Sequence, residues 1–199
     1  MQNRFRSVLL FGPPGCGKGT QGKLLATGGS HLHLSSGDIF RGLDPTSEEG
    51  KLFASYADKG LLVPDEVTIA VWRAYMGNVI DRGTYRPESQ LLLLDGLPRT
   101  EGQAKALAPH LDVVAAIVFD VTDSEVLVKR LQRRAAMEGR ADDRDVAVLR
   151  KRLEVFATDT ERVISKYSDV EIRVDALQPP LCVLRDILVG GADRLSVIK

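Results

Sequence analysis

The chain has 199 residues, 44% hydrophobic and 27% charged. This suits one α/β domain with its own core and excludes two complete enzymes in tandem. Lysine plus arginine and aspartate plus glutamate number 27 each, so no net charge favours nucleic acid or an acidic membrane surface. The first apolar run, which ends at Phe11, is too short for a signal peptide or a membrane span. We therefore expect a cytoplasmic protein with neither nucleic acid nor membrane as a partner.

The first predicted element is a buried strand over Val8–Phe11, which runs directly into the glycine-rich segment 12–20. Glycines allow successive N–H groups to converge on one anion, and a helix that begins near Gly17 adds the positive end of its dipole. Lys18 supplies a mobile charge for the outer phosphates of a nucleotide. A glycine turn with a solvated lysine is the alternative, but a strand before the segment and a helical pattern after it favour a nucleotide site.

Two residues of this segment are unusual for a phosphate loop: Gly19 replaces the expected hydroxyl residue, and Cys16 carries a thiol. The pattern GxxxxGK is complete, but Gly19 occupies the position that usually holds Ser or Thr, and the hydroxyl follows at Thr20. Amide dipoles and the neighbouring lysine would lower the pKa of the Cys16 thiol and make it reactive. We favour the alternative, in which Cys16 is a small residue that fills the loop. Cys182, the other cysteine, is too distant for a CxxC or metal-binding spacing.

Further apolar runs of strand length alternate with helical patterns, which predicts a parallel sheet with helical crossovers. The predicted strands after the first are 31–34, 91–94, 113–119 and 170–174, and the predicted helices are 17–26, 67–80, 124–137 and 146–167. We expect Asp65 and Asp123 to cap two of these helices. Because ligands collect at the carboxyl ends of parallel strands, Asp95 and the glycine loop should meet there.

Two stretches interrupt this alternation. Residues 35–64 carry short helical patterns with glycine and proline between them, which predicts a small insert. Residues 134–144 are charged and contain a glycine between two long helices, which is typical of a mobile lid. The predicted organisation is one domain over 1–199, with a core formed by 1–34, 65–133 and 145–199.

Four further motifs accompany the glycine loop: SSGDIFR, GLLVPDE, DGLPRT and GRADD. With GPPGCGKGTQ they make the chain resemble the adenylate kinases, within the nucleoside monophosphate kinase family, over nearly its whole length. The resemblance implies a phosphate-loop fold with a parallel five-stranded sheet, a monophosphate-binding insert at 35–64 and a short lid at 134–144. It also implies the reaction Mg-ATP + AMP ⇌ 2 ADP, and a monomer. The lid lacks the four Cys or Cys/His ligands of zinc-bearing members, so Mg²⁺ is expected and zinc is not.

The resemblance also assigns residues to roles. The expected ATP-binding residues are Gly15, Cys16, Gly17, Lys18, Gly19, Thr20, Arg130, Arg134 and Gln178. The expected AMP-binding residues are Ser36, Arg41, Leu61, Leu62, Val63, Gly96, Arg99, Gln103, Arg140 and Arg152. Asp38 and Asp95 would position Mg²⁺ mainly through its waters. The expected catalytic residues are Lys18, Arg99, Arg134, Arg140 and Arg152.

Some alternatives stay open at this point. The stretch between GRADD and RKRL is one residue longer than the family spacing, so Lys151 competes with Arg152 for the phosphate-facing position, and the downstream pattern favours Arg152. Residues 83–89 have no match in compact members. A UMP/CMP kinase, a GTP-using AMP kinase and a catalytically silent nucleotide-binding module are the competing functions. A silent module should have lost part of the charge set, whereas all of it is present.

Overall fold

Five parallel strands form a single sheet in the computed structural model, which describes residues 4–139 and 143–196. The strand order β2-β3-β1-β4-β5 confirms the predicted α/β fold of the phosphate-loop type. The strands are β1 (Phe5–Phe11), β2 (Leu32–Ser35), β3 (Leu92–Asp95), β4 (Leu111–Asp120) and β5 (Glu171–Asp175). The chain crosses from one side of β1 to the other, so the loop after β1 lies at the switch point where ligands bind in open α/β sheets.

The helices cover both faces of this sheet. The α-helices in the described ranges are α1 (Lys18–Gly29), α2 (Ser36–Arg41), α3 (Glu48–Ala57), α4 (Asp65–Asp81), α5 (Glu101–Leu107), α6 (Ser124–Glu138), α7 (Val146–Val155), α8 (Glu161–Ile164) and α9 (Pro180–Leu195). Trp72 of α4 packs in the apolar layer on one face, and Ile187 of α9 packs in the layer on the other. None of these helices is long and apolar enough to cross a membrane.

The central strands explain why helices are needed on both faces. The residues Leu91, Leu92, Leu93 and Leu94 have no exposed surface. Because successive residues of a strand point to opposite faces, an unbroken buried run requires an apolar layer above and below the sheet. The apolar run read from the sequence therefore predicted β3 to within one residue at each end.

The prediction of one continuous helix over 146–167 is wrong in its second half. α7 ends at Val155 and is followed by a π-helical turn (Phe156–Thr160), by α8 and by a 3₁₀ turn (Ser165–Val170). Thr160 is buried in the π turn, and its hydroxyl donates to the backbone carbonyl of Arg99 at 3.1 Å. The wider turn presents residues to the cleft described below, so a tertiary contact overrides the helical periodicity.

One of the two predicted helix caps is confirmed and the other is wrong. Asp123 caps α6, and its carboxylate accepts from the N–H of Glu125 at 2.9 Å. α4 is instead preceded by Pro64, and Asp65 is its first helical residue. The Asp65 carboxylate faces the start of α5, where Thr100, the residue before that helix, donates from Oγ1 to Oδ2 of Asp65 at 2.7 Å.

The structure describes the predicted insert and part of the predicted lid. Between β2 and α4 lie α2 and α3, joined by a parallel ring stack of Phe40 on Phe53 with centroids 5.2 Å apart. The first part of the predicted lid, 134–138, belongs to α6, which ends at the left-handed Gly139. Arg140 lies outside the described residues.

Residues 83–89, which have no match in the sequence pattern, contribute one buried side chain, Tyr85, to the core. Tyr85 is 1% exposed, and its ring packs edge-on against Phe5 with centroids 5.9 Å apart. Its hydroxyl is buried without a hydrogen-bond partner among the described residues. Burial and, to a smaller extent, the charge of Glu88 raise the pKa of Tyr85 to about 12. Tyr85 therefore extends the apolar core.

Candidate active site

The glycine-rich loop joins the central strand to α1 and forms a cradle for an anion. Gly15 and Gly17 have φ angles of 85° and 107°, in the left-handed region that favours glycine. These turns place the unsatisfied N–H groups of the first helical turn at the carboxyl end of β1. Lys18 folds back over the loop, and its Nζ donates to the carbonyls of Gly12 at 2.7 Å and Pro13 at 3.1 Å.

A cleft of about 350 Å³ opens above this loop. It collects almost all of the residues that the sequence assigned to a site. The predicted residues that line it are Gly15, Gly17, Lys18, Gly19, Thr20, Ser36, Asp38, Arg41, Leu61, Leu62, Val63, Asp95, Gly96, Arg99, Gln103, Arg130, Arg134 and Arg152. Segments that are far apart in the sequence thus meet at one edge of the sheet, as the parallel topology requires.

Asp95 ends β3 and carries the buried negative charge of the cleft. Its side chain is 12% exposed, and its Oδ2 lies 3.6 Å from Nε2 of His33 on the neighbouring strand. Burial, the largest single influence, acts to raise the pKa of the Asp95 carboxyl. His33, Lys18 and Arg99 together outweigh it, so this pKa is lowered. Asp95 is therefore a carboxylate at neutral pH.

Arg99 is fixed by the turn that follows β3. Its Nε donates to the carbonyl of Gly96 at 2.8 Å, and its Nη2 donates to Oγ of Ser36 at 3.1 Å. Gly96 has φ of 79°, and a Cβ at this position would lie 2.7 Å from the Arg99 Nη2. Only glycine leaves room for the guanidinium to lie against the turn.

The guanidinium of Arg99 lies in a crowded cationic environment. Burial and the charge of Arg152 are the main causes that lower the pKa of Arg99 to about 10, with a smaller contribution from Arg41, while Asp95 acts in the opposite direction. Arg99 remains charged at neutral pH. Its positive charge is nevertheless unfavourable in this environment, because Asp95 offsets only part of the effect of burial and of the neighbouring arginines. Such a cluster is a site for a multiply charged anion.

Two further arginines share one buried carboxylate. Asp143 has no exposed surface, and its Oδ2 accepts from Arg134 Nε at 2.7 Å. Its Oδ1 accepts from Arg152 Nη1 at 2.5 Å. Both arginines line the cleft and are partly exposed. Asp143 thus orients two guanidiniums toward the space above the glycine loop.

Comparison with known proteins places this constellation in a family. A family model described as adenylate kinase matches residues 10–172. The chain belongs to the adenylate kinase family. The chain is 41% identical to the adenylate kinase of Flavobacterium johnsoniae over 169 residues, which cover 82% of this chain and 85% of that relative. It is 40% identical to the adenylate kinase of Micrococcus luteus over 179 residues, 84% of this chain and 82% of that relative. It is 37% identical to the adenylate kinase of Thermobifida fusca over 182 residues, which cover 86% of this chain and 90% of that relative.

This membership confirms the resemblance drawn from the motifs. The protein is a phosphotransferase, and the family supports phosphoryl transfer between adenine nucleotides. The cleft is accordingly a candidate active site, whose two ends would hold two nucleotides. At one end, Arg130 Nη1 donates to the carbonyl of Ala176 at 3.0 Å. At the other end, the apolar side chains of the insert, Phe40 and Phe53, line the wall with the loop at 61–63.

Three predicted site residues are not brought into the cleft by the described structure. Cys16 is 2% exposed and packs in the core beneath the loop. Burial raises the pKa of its thiol, and the opposing influence of Lys18 is smaller, which contradicts the reactive-thiol interpretation and agrees with the favoured one of a small buried residue. Gln178 is turned toward α9, where its Nε2 donates to Oδ2 of Asp186 at 2.8 Å. The third, Arg140, lies outside the described residues.

Three functional candidates escaped the sequence analysis. Asp143 is the last residue of GRADD, and an acid between arginines was the signal that could have found it. His33 was missed because its partner Asp95 is distant in the sequence. Thr160 lines the cleft because it lies in the π turn, and no local pattern in the sequence predicts that turn.

The donor set of the cleft fits a magnesium ion that binds together with a nucleotide. Mg²⁺ prefers oxygen ligands, keeps several waters and needs only one or two carboxylates when phosphates are present. The Asp95 carboxylate faces the first turn of α1, since a Cβ on Gly19 would lie 3.6 Å from its Oδ2. Asp38 lines the same cleft and accepts from Arg41 Nη2 at 2.6 Å. These two carboxylates are the candidate holders of the waters around the ion.

Proposed function

We propose that the enzyme transfers the terminal phosphoryl group of Mg-ATP to AMP, reversibly, and gives two ADP. An oxygen of the AMP phosphate forms a bond to the γ-phosphorus, and the bond from that phosphorus to the β–γ bridging oxygen breaks. The observation that supports this most is the convergence of Lys18, Arg99, Arg134 and Arg152 on one cleft beside the glycine loop.

The chemistry needs positive charge more than it needs a base. The second pKa of a phosphate monoester is about 6, so the acceptor is already largely ionised at neutral pH. What slows the reaction is the approach of two anions and the charge that develops on the transferring group. Bound magnesium supplies a further positive charge on the phosphates of the donor. The arginines supply the rest from fixed positions, and their hydrogen bonds to Asp143, Gly96 and Ser36 hold them in place before substrate arrives.

The proposed roles follow from the two ends of the cleft. The loop amides and Lys18 hold the phosphates of ATP, and Arg130 lies against its base. Ser36, Arg41, Arg99 and Gln103 hold AMP, with the apolar loop at 61–63. Arg134 and Arg152, between the two ends, clamp the transferring group. We further propose that the segments 35–64 and 134–144 move to exclude water, as an insert and a lid, since ATP can lose its phosphoryl group to water as readily as to AMP.

The competing functions differ in which nucleotide is recognised. A GTP-using AMP kinase would differ only at the Arg130 end, and a UMP/CMP kinase only at the Gln103 end. Ser36 and Thr100 in their motifs favour AMP as the acceptor. A silent binding module would not need several arginines in one cleft, whereas Arg41, Arg99, Arg130, Arg134 and Arg152 all line it.

A coupled assay with purified protein distinguishes these functions. ADP formation is measured with ATP or GTP as donor and with AMP, CMP, UMP or GMP as acceptor, at saturating magnesium. The expected result is turnover with ATP and AMP that exceeds every other pair by at least about a hundredfold. Preference for a pyrimidine acceptor or for GTP would replace the proposal with the corresponding kinase, and absence of turnover with all pairs would leave the silent module. The monomeric state and cytoplasmic location stay predictions, which sedimentation and cell fractionation would test.

A further inference from the structure

A glutamine on the acceptor side of the cleft has internal partners at both ends of its amide. Gln103 is 2% exposed and lines the cleft. Its Oε1 accepts from the backbone N–H of Arg99 at 2.7 Å. Its Nε2 donates to Oδ1 of Asp65 at 2.9 Å, and the other carboxylate oxygen of Asp65 accepts from Thr100 Oγ1 at 2.7 Å. The carboxylate of α4 therefore tethers an amide of α5.

These partners allow only one orientation of the amide. A backbone N–H can only donate, and an ionised carboxylate can only accept. If the Gln103 amide rotated by 180°, its NH₂ would face the Arg99 N–H and its oxygen would face the Asp65 carboxylate. Both contacts would become repulsive, and the contact with Asp65 is the one that a side-chain substitution can change. The lock uses one lone pair and one hydrogen of the amide, which leaves one acceptor and one donor for a ligand.

We propose that Asp65 is a positioning residue whose lock on Gln103 makes the acceptor pocket select adenine over 6-oxopurines. This inference rests on the proposed function, in which the acceptor nucleotide lies beside Gln103. Adenine presents a donor at its 6-amino group next to an acceptor at N1. Hypoxanthine and guanine present the reverse, an acceptor at O6 next to a donor at N1. A freely rotating amide would satisfy either base, whereas a locked amide satisfies one and leaves both of its groups unpaired against the other.

IMP is the appropriate probe for this lock. Its base has nearly the same size as adenine and lacks the 2-amino group of guanine, so it tests hydrogen-bond pattern and not shape. The measured quantity is the ratio of kcat/KM for AMP to kcat/KM for IMP, with ATP as donor. Asp65→Asn keeps the size of the side chain, but its amide can donate as well as accept, so a rotated Gln103 no longer faces an obligate acceptor. We expect this variant to lower the ratio by at least about tenfold.

Glu66→Gln is the matched control. Glu66 is exposed and lies in the same first turn of α4, so its variant removes the same charge from the same helix terminus. We expect it to leave the AMP/IMP ratio and the KM for ATP unchanged. Thermal melting of each variant establishes that it is folded, and Asp65→Ala replaces Asp65→Asn if the latter is not.

The outcomes distinguish an orienting role of Asp65 from a merely structural one, and they distinguish failure of this inference from failure of the proposed function. A folded Asp65 variant that keeps the wild-type ratio overturns the inference, and so does one that loses activity equally with both nucleotides. If the wild-type enzyme does not phosphorylate AMP, the proposed function fails first. In that case, calorimetric binding of AMP and IMP to wild type and variant still tests the lock, because an unchanged ratio of the two Kd values contradicts it.

Discussion

Nη1 of Arg152 lies 2.5 Å from Oδ1 of Asp143, a carboxylate with no exposed surface. Arg152 itself is one-fifth exposed and lines the cleft. The carboxylate is therefore a buried support, and the guanidinium is the part that can meet a ligand. Charge-assisted contacts of this kind hold a long side chain in one orientation before substrate binds, which lowers the cost of ordering it in the transition state.

The first prediction concerns this support. Asp143→Asn keeps the shape of the side chain but removes the charge shared by Arg134 and Arg152. We expect kcat to fall at least about tenfold, because both arginines lose their fixed orientation, and the free energy of unfolding to fall by about 1–3 kcal/mol. Steady-state kinetics and denaturant unfolding measure the two effects. Glu125→Gln is the control, because Glu125 forms an exposed pair with Arg150. An Asp143 variant with normal kcat would contradict the role of support.

The second prediction concerns the lysine of the glycine loop. Lys18→Ala removes a charge whose hydrogen-bond partners in the described structure are two loop carbonyls and the Cys16 sulfur. We expect turnover to fall at least about a hundredfold, since the charge is felt most in the transition state. The melting temperature should change little, because no apolar packing is lost. Lys129→Ala, which removes an exposed charge from α6, should have normal turnover.

The third prediction concerns the acceptor phosphate. Arg99→Ala should raise the KM for AMP much more than the KM for ATP, because Ser36 and Gly96 hold Arg99 on the side of the cleft that we propose binds AMP. The variant also removes a charge that burial and Arg152 make unfavourable, as the lowered pKa of about 10 indicates. Its melting temperature without nucleotide should therefore not fall. Equal losses of affinity for the two nucleotides would rule out this assignment.

Local patterns predicted most of the fold, and contacts between distant segments account for what they missed. The glycine loop and the apolar run before Asp95 each report their structure through neighbouring residues, so β1, α1 and β3 followed from the sequence. The pairing of His33 with Asp95 depends on β2 lying beside β3, which no local window contains. Burial is equally invisible in the sequence. For this reason only the structure excludes the alternative of a reactive Cys16 with a lowered pKa.

The fourth prediction concerns Tyr85, the buried residue of the segment 83–89. Tyr85→Phe keeps the packing against Phe5 and removes a buried hydroxyl that has no partner in the described structure. We expect the variant to be as stable as wild type or slightly more stable at pH 7. The raised pKa of about 12 means that the unfolded chain ionises first as the pH rises above about 10. The wild type should therefore lose stability between pH 10 and 12 by a component that the variant lacks. Identical alkaline unfolding curves would contradict this.

The last prediction decides which basic residue of α7 acts on the phosphates. Arg152 lines the cleft, whereas Nζ of Lys151 pairs with Glu154 at 2.9 Å on an exposed surface. The one extra residue between GRADD and RKRL therefore does not turn Arg152 away from the cleft. We expect Arg152→Ala to lower kcat by at least about a hundredfold and Lys151→Ala to leave it within about twofold of wild type.

Arg152→Lys should restore little of the loss, because only a guanidinium can contact a phosphate and the Asp143 carboxylate through separate, coplanar N–H groups. Assays at saturating ATP and AMP, with melting curves for all three variants, make the comparison. If Lys151→Ala proved to be the inactive variant, α7 would present its other side to the substrates in the working enzyme, and the shared contact of Arg134 and Arg152 with Asp143 would be structural only.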